Sequence, residues 1–174
     1  MSRQRFFVYA ASALLFGSIG IYFGSRKLPA ESPMAAAASQ LFALSLPDAT
    51  GKPHALSQWK GKSLVVNFWA TWCGPCVQEM PELSALQTES KFKNMQIIGI
   101  GIDSERNIAE FSSKYSIAYP LYVSGMAGAE LARRFGNLSG GLPFTVLIGP
   151  EGQVKKTYLG RLKLAELRRD ILDL

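Results

Sequence analysis

Sulfur is where chemistry can begin in this chain. Cys73 and Cys76 are the only cysteines among 174 residues, and they stand in the run Trp69-Ala70-Thr71-Trp72-Cys73-Gly74-Pro75-Cys76. Here a continuous apolar run gives way to a helical pattern. Two cysteines three residues apart on a first helical turn can reach disulfide geometry without moving the backbone. Pro75 is tolerated there, because first-turn amides lack helical partners. A helix N-terminus carries roughly half a positive charge, which favours thiolate over thiol. A tenfold gain in acidity is about 1.4 kcal/mol of that preference. Cys73, the outer of the pair, reads as the attacking nucleophile, and Cys76, one turn inside, as the resolving thiol. Attack on a substrate disulfide leaves a mixed disulfide on Cys73, which Cys76 then displaces.

Other uses of the pair fit less well. A structural staple would close a loop of only four residues, worth about 2 kcal/mol against about 3 for a fifteen-residue loop. One cysteine pair with the single histidine, His54, falls short of a four-ligand zinc site unless two chains share the metal. The peroxidase pattern P-x-x-x-[TS]-x-x-C would need a proline and then a threonine or serine ahead of Cys73, at the places where Val66 and Ala70 stand. Ahead of Cys76, those places hold Trp69 and Cys73. Gly99 and Gly101 lack the third glycine of a dinucleotide loop, because Ser104 stands there, so they read as glycines of a buried strand. No metal and no cofactor is expected.

The elements that must position the cysteines follow from the apolar pattern. Residues 42–46 and 53–56 read as short strands around the turn Pro47-Asp48-Ala49-Thr50-Gly51. Residues 64–69 are a continuous apolar run with one Asn, hence a buried strand. A helix over 73–88 follows, then a second buried strand over 95–102. The spacing predicts helices over 107–115 and 128–135, with a small strand at 121–123 between them. Residues 144–148 and 154–159 flank a hairpin turn, and Leu164, Leu167, Ile171 and Leu174 share one face of a last helix. The order is a strand pair, β-α-β, an inserted helix-strand-helix, then β-β-α, which is an α/β domain.

The N-terminus has a different character. Residues 6–23 carry no charge, and as a helix at about 1.5 Å per residue they would just cross a bilayer core. Phe6, Phe7 and Tyr9 at one end, and Tyr22 and Phe23 at the other, suit the two interfaces. The alternative is a cleaved signal, with a shorter apolar region and a small-residue site close behind. The expected layout is a cytoplasmic N-terminus over 1–5, an anchor over 6–23, a flexible tether over 24–39 and a domain over 40–174. The tether holds Pro29 and Pro33 and shows no apolar period. The net charge of +6 is inflated by Arg3, Arg5, Arg26 and Lys27 around the apolar run. From residue 35 onward there are 15 basic and 12 acidic side chains, scattered along the chain. That is a solvated surface, and no nucleic-acid partner is expected. A hydrophobic share of 48% excludes a disordered chain.

The run from Phe68 to Cys76, with Leu142-Pro143 ahead of the strand at 144–148, resembles the thioredoxin superfamily. The resemblance covers residues 41–174. With the early strand pair, the insert and the anchor, it narrows to the membrane-anchored bacterial thiol-disulfide oxidoreductases of the TlpA and ResA type. It implies a thioredoxin fold: a central mixed sheet flanked by helices, with an N-terminal strand pair and a central helix-strand-helix insert. It gives Pro143 the role of the cis-proline that lies against the cysteines and pairs with substrate. A trans proline at a strand start is the other reading. Leu142 matches a position that tunes redox behaviour, as do Gly74 and Pro75 between the cysteines. Pro81 matches the proline that kinks the active-site helix, and Trp72 the tryptophan beside the nucleophile. Cytosolic thioredoxin has a buried Asp where this chain has Asn67, which cannot take a proton. The TlpA and ResA type carries instead W-C-x-P-C-x-x-E-x-P, and Trp72-Cys73-Gly74-Pro75-Cys76-Val77-Gln78-Glu79-Met80-Pro81 matches it in full. Glu79 is thereby the expected proton-handling carboxylate, one turn past Cys76, with its pKa raised by partial burial. A surface acid helping the helix dipole is the other reading.

The resemblance implies a reductase of protein disulfides outside the cytoplasm, fed by a membrane thiol-electron transporter and held to the bilayer through 6–23. The cytochrome-maturation members carry a GVxGxPET-like stretch. The run Asn137 to Thr145 lacks the Glu after the proline, which leaves a general reductase of envelope disulfides open. An oxidant of the same fold is the alternative, although such proteins tend to have a histidine between the cysteines. A peroxidase and a non-catalytic interaction module are the remaining readings.

Overall fold

The computed structural model describes residues 32–92 and 94–174. The expected anchor at 6–23, and the part of the expected tether at 24–31, lie outside the described residues. Among the described residues no helix is long and apolar enough to cross a membrane.

The compact unit begins at Ser32. It opens with a helix where a tether was expected, α1 (Pro33–Ala43). Ser32 caps it, its hydroxyl oxygen accepting from the Ala35 amide at 3.2 Å, and Pro33 takes the first-turn position that suits proline. Ala37, Ala38, Leu41 and Phe42 are all buried. A cut at residue 39 separates the two alanines from Leu41 and Phe42, and an alanine run offers little contrast between faces, so the apolar stripe is hidden. Leu41 is fully buried. Truncating it in Leu41→Ala is expected to cost about 2–5 kcal/mol, read as a lowered urea midpoint with an unchanged slope.

The strand expected over 42–46 is accordingly shorter: Phe42 and Ala43 belong to the last turn of α1, and β1 (Ser45–Pro47) pairs antiparallel with β2 (Pro53–Ala55). The remaining elements lie close to their expected places. They are β3 (Ser63–Trp69), α2 (Gly74–Thr88), β4 (Met95–Gly101), α3 (Glu105–Lys114), β5 (Leu121–Val123), α4 (Gly125–Arg134), β6 (Phe144–Ile148), β7 (Val154–Leu159) and α5 (Leu164–Leu172).

Five strands form one mixed sheet in the order β5-β4-β3-β6-β7. β3 is central, parallel to β4 and antiparallel to β6. Side chains alternate across a strand, so β3 serves two cores. Leu64, Val66 and Phe68 pack with α1 and α4. Val65 and Trp69 face the other way, with Cys76, Met80 and Leu83 of α2 and Leu167 and Ile171 of α5. Asn67 shares that second face by alternation. The β4 glycines are packing glycines, as the missing third glycine implied. A Cβ on Gly99 would come within 2.6 Å of Leu121 Cδ2 and 3.0 Å of Trp69 Nε1.

Candidate active site

The site stands where β3 ends and α2 begins. Cys73 is the N-cap of α2 rather than its first residue, with an extended backbone. Its sulfur accepts from the Cys76 amide at 3.3 Å. One orphan donor of the helix N-terminus is thus spent on the Cys73 sulfur, which favours negative charge there. The two sulfurs are joined in a disulfide, with Cα atoms 5.3 Å apart. Cys73 is 6% exposed and Cys76 is fully buried, so Cys73 is the sulfur within reach of solvent. Gly74 and Pro75 are exposed between them, and Trp72 is 69% exposed beside them.

The loop ahead of Cys73 is tied down from the segment between β4 and α3. The backbone amide and the hydroxyl of Thr71 both donate to Asp103 Oδ2. The other oxygen, Asp103 Oδ1, accepts from the Ser104 amide and from Asn107 Nδ2, each at 2.7 Å. Asp103 therefore joins the cysteine loop to the start of α3.

The Leu142-Pro143 peptide bond is cis, as the resemblance implied. Leu142 packs partly buried between the two cores, and the Pro143 carbonyl accepts from the Gly160 amide at 2.8 Å. Pro81 lies inside α2 on its exposed side, where it has no N–H to offer the carbonyl one turn back.

Glu79 is 2% exposed, on the buried side of α2. The surface-acid reading of Glu79 is thereby removed. Its Oε1 accepts from Asn67 Nδ2 at 2.7 Å, and its Oε2 from the Leu162 amide at 3.0 Å. Burial raises its pKa above the ordinary 4.5. The hydrogen bonds from Leu162 and Asn67 and the charge of Arg161 offset that rise in part, while the charge of Glu82 adds to it. The hydroxyl of Tyr119, buried on the same face, is pushed up by burial and by the Glu79 charge.

Three consecutive residues after β7 hold this arrangement. Gly160, at φ +84°, donates to the cis-proline carbonyl; Arg161 Nη2 lies 2.7 Å from Glu82 Oε1; Leu162 donates to Glu79. A left-handed φ suits glycine, and it turns the chain from the sheet onto α2. Sequence reasoning missed Arg161, Leu162, Thr145 and Asp103, because each meets the site only through the tertiary fold. The Arg161–Glu82 pair is half-exposed, so its direct worth to stability is at most about 1 kcal/mol. Arg161→Ala is expected to leave the unfolding midpoint nearly unchanged. The Glu79 titration should move to higher pH, since a lowering charge is lost; carbon NMR of the carboxyl reads it.

Fold and site together define a thiol-disulfide exchange protein of thioredoxin fold. Residues 29–171 match the Redoxin family, and the chain belongs to that family. Among its relatives is a thiol-disulfide oxidoreductase ResA of Halalkalibacterium halodurans, 29% identical over 91% of this chain and 88% of that one. A second ResA, from Bacillus thuringiensis subsp. konkukian, is 36% identical over 65% of this chain and 64% of its own. A thioredoxin-related protein from Neisseria meningitidis serogroup B superposes with a TM-score of 0.63 at 31% identity, over 73% of this chain and 96% of that one. The ResA/TlpA-type resemblance holds, and the chain is an enzyme that carries out dithiol–disulfide exchange through Cys73 and Cys76.

Proposed function

We propose that this enzyme works as a reductase of protein disulfides outside the cytoplasm, anchored through residues 6–23. The observation that carries the direction is the charge around the cysteines. A strongly oxidising member of this fold owes its potential to a stabilised reduced form. Here Gly74 and Pro75 supply no cation between the sulfurs. The single histidine sits in β2, with Nε2 2.8 Å from Asp48 Oδ2. Behind the pair stands a buried carboxylate, Glu79. Beyond the helix N-terminus, nothing in that set favours the reduced pair over the disulfide.

In the proposed cycle the Cys73 thiolate attacks a substrate disulfide and expels one substrate thiolate. Glu79 takes the proton from Cys76. The Cys76 thiolate then attacks the Cys73 sulfur, the mixed disulfide breaks, and the second substrate thiolate leaves. Two electrons pass to the substrate, its two thiolates take up the proton that Glu79 received and one from water, and the enzyme is left as the Cys73–Cys76 disulfide with Glu79 again a carboxylate. A membrane thiol-electron transporter returns it to the dithiol. The Leu142-Pro143 segment and exposed Trp72 offer a backbone edge and an apolar surface to the substrate chain.

Thiol trapping in whole cells tests this reading. Acid quenching followed by alkylation should find the pair mainly as dithiol. A membrane-impermeant maleimide added to spheroplasts should modify it. A pair found mainly as disulfide at steady state would contradict the direction, and a pair shielded from the maleimide would contradict the location.

A further inference from the structure

The Asn67 side chain is fully buried beneath α2. Its Nδ2 group donates to Glu79 Oε1 at 2.7 Å and to Thr145 Oγ1 at 3.1 Å. Thr145 is its register partner on β6, equally buried. The other half of the amide, Asn67 Oδ1, is buried with no hydrogen-bond partner. Buried polar atoms without partners are rare in folded proteins, and each needs a reason.

The reason lies in the two charge states of Glu79. Its hydrogen-bond partners, the Asn67 amide and the Leu162 N–H, are both donors. That set satisfies a carboxylate. A protonated carboxyl has an O–H to place and needs an acceptor. The Leu162 N–H is a backbone donor and cannot become one. The Asn67 amide can. A half-turn of its terminal group exchanges Oδ1 and Nδ2, two atoms of nearly equal size, in the same plane. Oδ1 then faces both Glu79 Oε1 and Thr145 Oγ1. The Glu79 O–H donates to it, and the Thr145 hydroxyl, free to rotate its hydrogen, donates as well. Two hydrogen bonds are kept in either orientation. What changes is which half of the amide is left open.

We propose that Asn67 is a positioning residue that turns its amide with the charge of Glu79, offering Nδ2 to the carboxylate and Oδ1 to the carboxylic acid. The inference rests on the reading of Glu79 as the proton carrier, and adds how a buried site accommodates both of its forms. The other titratable groups around Glu79 are Arg161 from the turn after β7, Glu82 on α2 and Tyr119 ahead of β5, and they act on or feel it through charge. The nearby cysteines are held in the disulfide and do not titrate in that state.

The test uses the full chain in detergent, oxidised, with carbon-labelled glutamate carboxyls and nitrogen-labelled asparagine amides. Asn67→Ser and Glu79→Gln assign the two signals. A pH titration follows the Glu79 carboxyl carbon, and cross-relaxation between the Asn67 Nδ2 hydrogens and the Thr145 side chain. The cross-peak should be present above the Glu79 midpoint and lost below it, with the same midpoint for both signals. A Glu79 carboxyl that titrates while the cross-peak persists throughout overturns the turning amide and leaves the proton carrier standing. A Glu79 carboxyl that does not titrate anywhere the protein is folded overturns both.

Discussion

Replacing Cys73 with serine is expected to abolish disulfide exchange by this enzyme, with a loss of more than about a thousandfold in rate. A serine hydroxyl at neutral pH is not an anion, and the helix N-terminus that favours a thiolate cannot make it one. The Cys76 sulfur is intact in that variant, but it lies fully buried one turn inside α2, out of reach of a protein disulfide. The companion substitution behaves differently. Cys76→Ser leaves the attacking sulfur in place and removes the group that clears it. It should perform one attack and stop, accumulating a covalent mixed disulfide through Cys73. Non-reducing electrophoresis with a disulfide-bonded substrate reads both results. A Cys73→Ser enzyme that turns over, or a Cys76→Ser enzyme that forms no adduct, would reverse the assignment of the two sulfurs.

Glu79→Gln is the second large effect. A positioned proton acceptor contributes typically 10²–10⁴-fold. Its loss should slow release of the mixed disulfide by about that factor near neutral pH, with the first attack by Cys73 little changed. Rapid mixing separates the two steps. The pH dependence of stability gives an independent reading. Burial lifts the folded-state pKa of Glu79 above 4.5. Below 4.5 the folded and unfolded chains both hold the proton, and the carboxyl costs nothing. As pH rises from 4.5 through the folded-state value, the unfolded chain loses its proton first and gains the advantage. Stability contributed by the protonated carboxyl is lost across that window and stays lost above it. Glutamine does not titrate, so the difference in urea midpoint between wild type and Glu79→Gln should widen in favour of the variant as pH rises through the window. A constant difference across it would mean that Glu79 is not perturbed in the folded chain.

The chemistry of this protein is legible in a short stretch of sequence because its spacing is local. Cys73, Cys76 and Glu79 recur at three-residue intervals from the N-cap of α2 into its second turn, so one short segment brings them together. The buried strands at 64–69 and 144–148 are equally plain, since a central strand is apolar on both faces. What escapes a reading of the sequence depends on distant parts of the chain. Leu162 reaches Glu79 across 83 residues, through a backbone amide that carries no residue-type signal. Arg161 pairs with Glu82 across 79. Asn67 stands out for the proton it cannot accept, whereas its place beside Glu79 depends on β3 facing α2. The helix α1 is hidden by composition. Proline and serine ahead of an alanine run read as a tether, yet Ser32 and Pro33 are a cap and a first turn, and the alanines meet Leu41 and Phe42 on one buried stripe.

In the proposed function the Cys73–Cys76 pair gives electrons rather than takes them. Its reduction potential decides the direction, measured with the full chain in detergent equilibrated against graded thiol-disulfide buffers and the dithiol fraction counted by alkylation. Thioredoxin lies at about −270 mV, and the strongly oxidising members of the fold reach about −120 mV. The absence of a cation between the sulfurs and the carboxylate behind them predict a value at or below about −220 mV. A value of about −120 mV would rule out the reductase direction and make the same site a donor of disulfides.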